Sequence, residues 1–550
     1  MEKLRSKEET KPYINFALHA HQPLRYNGIS INEEIYKRCY LENIKLKNLE
    51  KVSVNISGSV LLDLLENKNN KIYSELAENL REVNEKTIKE YAISNFLLQG
   101  SVFHSIIPLL PEKSRILQYE WSKTLFEHFF KSEHKGVWLP EQAFDKKSLE
   151  FLANQKEEWT ILPQWASLDK INTSVPYKTQ SGENMIILFY DKSLSDKISW
   201  RQAVWNFSDF IKGKNKDDLS SWNLAMDIET FGEHGRDKKE KEDGPWWLNN
   251  LIYYQIPGAG YKISPIQSVL FSNNLIGGNK DISRLEDVLI KNSGSWSCLC
   301  ERHIENIESE LRKAGLIGEY GPYLENLPKE INGLLRWGLF CGCVNNGETE
   351  KSLWKLPFKS GLTSMLEELH GLYGDISKGV INKPFDALAD YINVKIRAVG
   401  GNLKKSFLDN FVNKHFIFKR EDDVKMFFYM AESIFHAEAS QTSCGFYWEN
   451  YDRLEPNYNT IHAANSIALF KEGLSYNKNK EYLKKIEQIS KNLEKDLEKT
   501  SKKAIKLYND VLDGYGKKDL LEFSYGGDNK LKFDPKEHTH IEKIVNLYEK

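Results

Sequence analysis

The stretch INFALHAHQP, residues 14–23, begins with a short apolar run, Ile14 to Leu18, and then breaks into His19-Ala20-His21-Gln22-Pro23. A run of that length, closed by polar residues able to do chemistry, is the pattern of a buried parallel strand whose C-terminal end faces a site. Moving outward, the same kind of run recurs at Val52 to Ile56, Phe96 to Gly100, Gly136 to Leu139, Trp159 to Leu162, Met185 to Tyr190 and Trp222 to Asp227. Longer segments separate them, and in Lys71 to Tyr91 and Glu112 to Phe130 the apolar residues recur at helical spacing. Strand alternating with helix predicts a parallel α/β fold, and about seven strands predict a closed barrel in preference to an open sheet.

The segment SNNLIGGNKD, residues 272–281, is polar and rich in Gly and Asn, and no convincing strand follows it. The expected division is therefore a barrel over residues 1–275 and a mainly α-helical C-terminal region over 276–550, in one or two subdomains. Leu353 to Leu372, Phe385 to Phe411, Asp422 to Ala439 and Ile461 to Tyr515 all carry apolar residues at helical spacing with Lys and Glu between. Lys478 to Lys506 is so rich in Lys and Glu that it reads as a solvated helical face.

Bulk properties exclude several function classes. The chain has 550 residues, too many for one hydrophobic core. Its 76 basic and 78 acidic residues cancel, so no overall field favours nucleic acid or an anionic membrane. A neutral substrate fits better. The charged segment Met1 to Lys11 leads into an apolar stretch too short for a signal peptide, and no run is long enough to span a bilayer, so a soluble cytoplasmic protein is expected. Six cysteines are too few for a disulfide framework.

Chemistry in an α/β barrel belongs at the C-terminal ends of the strands. Three such ends are unusual: HAHQP at 19–23, Trp138-Leu139-Pro140-Glu141, and Asp227-Ile228-Glu229-Thr230-Phe231-Gly232-Glu233-His234. Two carboxylates, Glu141 and Asp227, thus emerge from different strands beside aromatic residues that could stack on a sugar. Cleaving an acetal needs one carboxyl group to protonate the leaving oxygen and a second to capture the oxocarbenium-like centre. The first must keep its proton and the second must be ionised, a division that burial and mutual charge can impose.

These segments resemble glycoside hydrolase family 57. HAHQP at 19–23, GVWLPEQAFD at 136–145 and MDIETFGEH at 226–234 are similar to its signature regions, with weaker matches at VNISGSVLLDLL (54–65), at 96–111 and at LFYDKSLSDKISW (188–200). The resemblance covers about the first 270 residues. It implies a (β/α)7 barrel and a retaining double displacement on an α-glucan, by amylase, branching or glucanotransferase activity, with no cofactor. By the same carry-over Glu141 is the nucleophile and Asp227 the general acid/base. His19, His21, Trp138, Phe231, His234 and Asp196 are the implied substrate contacts. The second half resembles an uncharacterised helical extension that follows some of these barrels, through SWSC (295–298), CGC (341–343), KPFDALADYINV (383–394) and QTSCGFYWEN (441–450). Trp296, Tyr447 and Trp448 are its candidates for extending the glucan cleft.

Other readings of the same residues stay open at this point. Glu229 or Glu233 could replace Asp227 as the acid, since strand alternation would point Asp227 and Glu229 the same way. His19 and His21 with Asp227 could bind zinc in a metal-dependent deacetylase or amidohydrolase. A barrel that binds glucan without turnover is a third. His104 reads as a satisfied core or helix-start histidine. Cys298, Cys300, Cys341 and Cys343 form two CxC pairs, with Cys444 a single thiol. Buried reduced thiols are the default for them. A zinc or iron–sulfur site drawn from Cys298, Cys341, Cys343 and Cys444 is the alternative.

Overall fold

The computed structural model describes residues 12–26, 29–179, 185–199, 222–234, 238–300, 304–324, 327, 331–338, 341, 343, 352–477, 479–515, 517, 520–527 and 529–549. Seven strands fall where the apolar runs placed them: β1 Tyr13–Ala20, β2 Ser53–Ile56, β3 Phe96–Gln99, β4 Gly136–Trp138, β5 Trp159–Pro163, β6 Ile186–Tyr190 and β7 Trp222–Asp227. β1 pairs in parallel with β2 on one side and with β7 on the other, and the parallel ladder continues from β2 through β3, β4 and β5 to β6. Between β6 and β7 there is no ladder. The Asp191 N–H donates to the Asn223 carbonyl at 2.8 Å, and Asn223 Nδ2 to the Phe189 carbonyl at 3.5 Å. The sheet therefore curls from β1 round to β7, the expected (β/α)7 arrangement.

The strands read as continuous apolar runs because both their faces are covered, and seven of the eight residues of β1 are buried. Ala17, Leu97, Trp138, Trp159, Ile161, Leu188 and Ala225 belong to one core cluster. Two of the helices between strands start on side-chain caps: Asn70 accepts from the Ile72 N–H at 2.9 Å before helix Lys71–Tyr91, and Asp145 from the Ser148 N–H at 2.7 Å before helix Lys146–Asn154. Asp145 is the last residue of the GVWLPEQAFD segment, so the motif ends by fixing where the next helix begins.

The chain divides into two units, one of residues up to Gln22, 29–100 and 126–296, the other of 23–28, 101–125 and 297–550. The expected limit at residue 275 stops short of the first unit's end. After helix Ile266–Ser272 the chain returns to the barrel, pairing Asp287–Val288 with Lys178 and Thr179, and Ser293–Gly294 antiparallel to Phe144–Asp145. These strands are only two residues long, too short to leave a period in the sequence.

The second unit is built largely of helices. Glu421–Ala439 and Leu454–Leu474 are buried nearly all round, whereas Lys480–Thr500 buries Ile486, Ile489, Leu493 and Leu497 and turns Lys and Glu outward, as its composition predicts. The segment Phe385 to Phe411 is two helices, Pro384–Val399 and Lys405–His415, interrupted at Gly400 and Gly401, and Ile461 to Tyr515 spans parts of three. An antiparallel hairpin, Leu521–Tyr525 with Asn529–Phe533, turns at Gly526 and Gly527, both at positive φ. The expectation of helix throughout missed that glycine pair between alternating residues. His104 is a buried core histidine of this unit, with Nδ1 2.7 Å from Ser443 Oγ. No helix among the described residues is long and apolar enough to cross a membrane.

Candidate active site

The register of β1 sets the first part of the site. His19 lies level with Asp227 of β7 on one side and with Asn55 of β2 on the other. Asn55 commits its Nδ2 to the Leu97 carbonyl at 3.0 Å, so its Oδ1 accepts from His19 Nδ1 at 2.8 Å. That assigns the Nδ1–H tautomer and leaves Nε2 as an acceptor. Burial lowers the His19 pKa to about 4 against the raising effect of Asn55, so the imidazole is neutral at pH 7. Its ring stacks on Trp138 at 5.1 Å and on His21 at 6.0 Å. His21 Nδ1 lies 3.0 Å from Ser57 Oγ.

Beyond β4 the chain makes a tight turn. Glu141 and Gln142 both sit in the left-handed region, at φ 55° and 50°, conformations that cost a non-glycine residue of order 1–3 kcal/mol. The turn is held by Gln142 N–H to the Leu139 carbonyl at 2.8 Å and by Trp296 N–H to the Glu141 carbonyl at 3.1 Å. The Trp296 indole N–H also donates to Glu141 Oε2 at 2.8 Å. Trp296 meets Trp138 edge to face at 5.5 Å, so the strained carboxylate is aimed by a wall of aromatic rings. Sequence reasoning placed Trp296 in the C-terminal region, but it belongs to the barrel unit.

Asp227 ends β7, and its pKa is raised well above the ordinary aspartate value by burial and then by the negative charges of Glu229 and Glu141. Residues 228–231 form a 3₁₀ turn, so strand alternation does not set the direction of Glu229. Glu229 is buried and accepts from the Tyr40 hydroxyl, from Gln22 Nε2 at 3.3 Å and from the His21 N–H at 3.2 Å. Burial raises it to about 7 against those donors. Glu233 is tied to Arg38 and, at 3.0 Å, to Lys241. Asp227 is thus a carboxyl that burial and two neighbouring negative charges push towards its protonated form.

One short element organises that loop. Tyr36–Leu41 is a π-helical turn whose Arg38 donates to the Gly232 carbonyl at 3.0 Å and whose Cys39 Sγ lies 3.3 Å from the Ile228 carbonyl. Gly232 is needed at this approach, because a Cβ there would lie 2.7 Å from Cys39 Cα. Tyr40, Arg38 and Asn55 were not singled out from the sequence. No local pattern marks them, since their partners are 36 to 195 residues away.

The other expected contacts divide. Trp138 stands in the stack with His19, but Phe231 is fully buried against Trp247 at 5.6 Å and presents no face to a sugar. His234 is exposed, its N–H bonded to the Glu229 carbonyl at 2.8 Å. Asp196 is ion-paired with Lys192 one helical turn before it, and its charge, like that of Asp227, acts on Tyr190. His19, His21 and Asp227 do not converge as metal ligands: among the described residues their ligand atoms form no group close enough to share an ion. Cys444 is likewise outside the cysteine group of Cys298, Cys300, Cys341 and Cys343, in which Cys300 takes the place expected for it. A cavity of about 510 Å³, lined by Tyr13, Asn15 and Asn223, lies by the N-terminal ends of β1 and β7, the end of such a barrel that serves stability.

The structure thus defines a parallel α/β barrel that carries two carboxyl groups, Glu141 just beyond β4 and Asp227 at the end of β7. Comparison with known proteins points the same way: residues 15–253 match the model described as Glycosyl hydrolase family 57. Residues 351–509 match a Domain of unknown function (DUF3536). "Alpha-amylase 1" of Dictyoglomus thermophilum is 25% identical over 154 residues, a stretch that spans 27% of this chain and 21% of that relative. The crystal structure of an exo-type maltose-forming amylase from Pyrococcus sp. ST04 superposes with a TM-score of 0.65 at 13% identity, covering 90% of this chain and 88% of that one, a likeness of fold. A GH57-type branching enzyme from Pyrococcus horikoshii gives a TM-score of 0.49 at 11% identity over 92% of this chain and 94% of that one.

Proposed function

We propose that the protein is a retaining enzyme acting on α-linked glucans, hydrolysing or transferring them, with Glu141 as nucleophile and Asp227 as general acid/base. One observation carries this reading: Asp227 is pushed towards the protonated form by burial and then by the charges of Glu229 and Glu141, while Glu141 accepts an N–H from Trp296. In the first step the Glu141 carboxylate attacks the anomeric carbon as Asp227 gives its proton to the leaving glycosidic oxygen. The product is a glycosyl ester on Glu141 and a free sugar hydroxyl. In the second, Asp227, now ionised, takes a proton from water or from the hydroxyl of an acceptor sugar, which displaces Glu141 and restores both groups. Neutral His19 offers Nε2 to a substrate hydroxyl, with Trp138 and His21 stacked beside it.

The test is product analysis on amylose and maltooligosaccharides, following reducing ends and chain-length distribution with and without a chelator. Wild type is expected to act in either condition, and Glu141→Gln and Asp227→Asn to lose at least about 10²-fold in kcat. New reducing ends mean hydrolysis, and redistribution without them means transfer. A wild type inert on α-glucans, or variants as active as wild type, overturns the proposal.

A further inference from the structure

Four of the six cysteines come together in the second unit, and the proposed glycosyl transfer uses none of them. Cys298 Sγ lies 3.4 Å from Cys341 Sγ, and Cys300 Sγ lies 3.2 Å from Cys341 Sγ and 3.1 Å from Cys343 Sγ. All four sulfurs fall within 4.8 Å of one another, and every one is a free thiol. We propose that Cys298, Cys300, Cys341 and Cys343 bind a single zinc ion as four thiolates, fastening two CxC segments some forty residues apart in the chain.

Neutral thiols are weak donors and weak acceptors and gain little from meeting. A cation that turns them into ligands gains a great deal, and in metal clips of this kind the binding energy is folding energy. Size selects the occupant. Sulfurs at about 2.3 Å from one ion sit about 3.8 Å apart at the corners of a tetrahedron; three of the separations here are 3.1 to 3.4 Å and none exceeds 4.8 Å, so small outward shifts seat one ion. A polynuclear iron–sulfur cluster places several irons and sulfides between its thiolates and needs them farther apart.

The surroundings suit the charge. Four thiolates around a divalent ion leave a net charge of about −2. Two cations stand by: Lys355, fully buried, donates to the Arg336 carbonyl at 2.9 Å, and Arg336 donates to the Ser297 carbonyl at 3.1 Å and covers the Tyr447 ring at 3.7 Å. Burial and then the charge of Arg336 lower the Lys355 pKa to about 7, against the opposing effect of Cys341, Glu449 and Cys298. The Cys343 N–H donates to Cys341 Sγ at 3.3 Å, the kind of bond that orients a thiolate ligand, and the Gly333 N–H holds the Cys300 carbonyl at 2.9 Å. Cys298 and Cys341 are buried while Cys343 is exposed, which gives the ion a way in.

The experiment uses the full chain, produced in zinc-supplemented medium and purified under reductant. Elemental analysis after gel filtration is expected to find one zinc per chain, released in step with thiol blocking by p-mercuribenzoate. X-ray absorption is expected to find four sulfur neighbours at about 2.3 Å. The Cys300→Ser/Cys343→Ser double variant loses the zinc, and Cys444→Ser keeps it. Because the site is structural, zinc removal by a strong chelator lowers the melting temperature while turnover by the chains still folded is unchanged, which separates this proposal from the glycosidase reading. A metal-free wild type overturns it. So does iron in place of zinc, nitrogen or oxygen neighbours in place of sulfur, or a disulfide recovered among these four cysteines after alkylation of the native protein.

Discussion

The two units treat buried charge in opposite ways. In the helical unit Lys395 and Glu432 are both buried and meet at 2.5 Å, with the Tyr391 hydroxyl on the other carboxylate oxygen and the Thr539 carbonyl 3.1 Å from the ammonium. In the barrel the charges that act on Asp227, those of Glu229 and Glu141, are both negative, and Glu141 sits in a strained turn. The first arrangement satisfies its charges and the second leaves one carboxyl frustrated. Strain and unfavourable protonation persist only where the surrounding structure over-determines them, and they concentrate where chemistry is done. The difference separates a network that holds a fold from a constellation that, on the proposed function, spends stability on reactivity.

The sharpest way to break that comparison is to neutralise one member of each. Lys395→Met leaves Glu432 buried without its cation and is expected to destabilise the protein by about 3–5 kcal/mol in chemical denaturation, with kcat per folded chain unchanged. Glu141→Gln removes one of the negative charges beside Asp227 and is expected to leave the melting temperature equal to or above that of wild type while activity falls by at least about 10²-fold. Equal destabilisation by both would erase the distinction.

How far the site was legible in the sequence follows from the range of the forces that build it. The seven strands lie in apolar runs, where local pattern is decisive, and were visible; the two candidate carboxyl groups stand at the immediate ends of two of them. Burial of Phe231 against Trp247 and the turning of Glu229 towards Tyr40 depend on which element packs opposite, and no window of sequence contains that. Trp296 belongs between these cases. Its aromatic character was plain, but its place on Glu141 rests on the two-residue pairing of Ser293–Gly294 with Phe144–Asp145.

Trp296 supplies the next test. Trp296→Phe keeps a ring beside Trp138 and removes the N–H that Glu141 Oε2 accepts. A hydrogen bond to a charged group is worth about 1.5–3 kcal/mol, so kcat/KM is expected to fall by roughly 10- to 100-fold with little change in stability. A stability loss as large as that of Lys395→Met would make Trp296 a packing residue instead. Tyr40→Phe acts one step further out. Without the hydroxyl donor the Glu229 pKa rises above about 7, Glu229 takes up a proton near neutrality, and its charge no longer holds the Asp227 proton in place. The alkaline limb of kcat/KM is then expected to move to lower pH. A limb that stays put would show that Glu229 does not set it.

The smallest expected effect asks where the two units behave alike. His19 in the barrel and His462 in the helical unit are both buried and held neutral. Burial is the main cause for each, with His462 lowered further by the charges of His436 and His538. A folded-state pKa below the unfolded value of about 6.5 means that on acidification the unfolded chain takes up a proton that the native chain refuses. Stability is therefore complete above about pH 6.5 and declines as pH falls through it, and for His19 the decline ends near 4, where the native imidazole protonates. The full His19 window is worth roughly 3 kcal/mol, and one pH unit of it about 1.4 kcal/mol. Denaturation curves at pH 7.5 and 5.5 are expected to differ by about that amount on account of His19, with His462 acting in the same direction, and His462→Gln and His19→Asn each to remove its own share of the slope. If His462→Gln leaves the slope unchanged, the helical network takes up the proton at a lower cost than its packing implies. The contrast between the two units would then lie in the carboxylates alone.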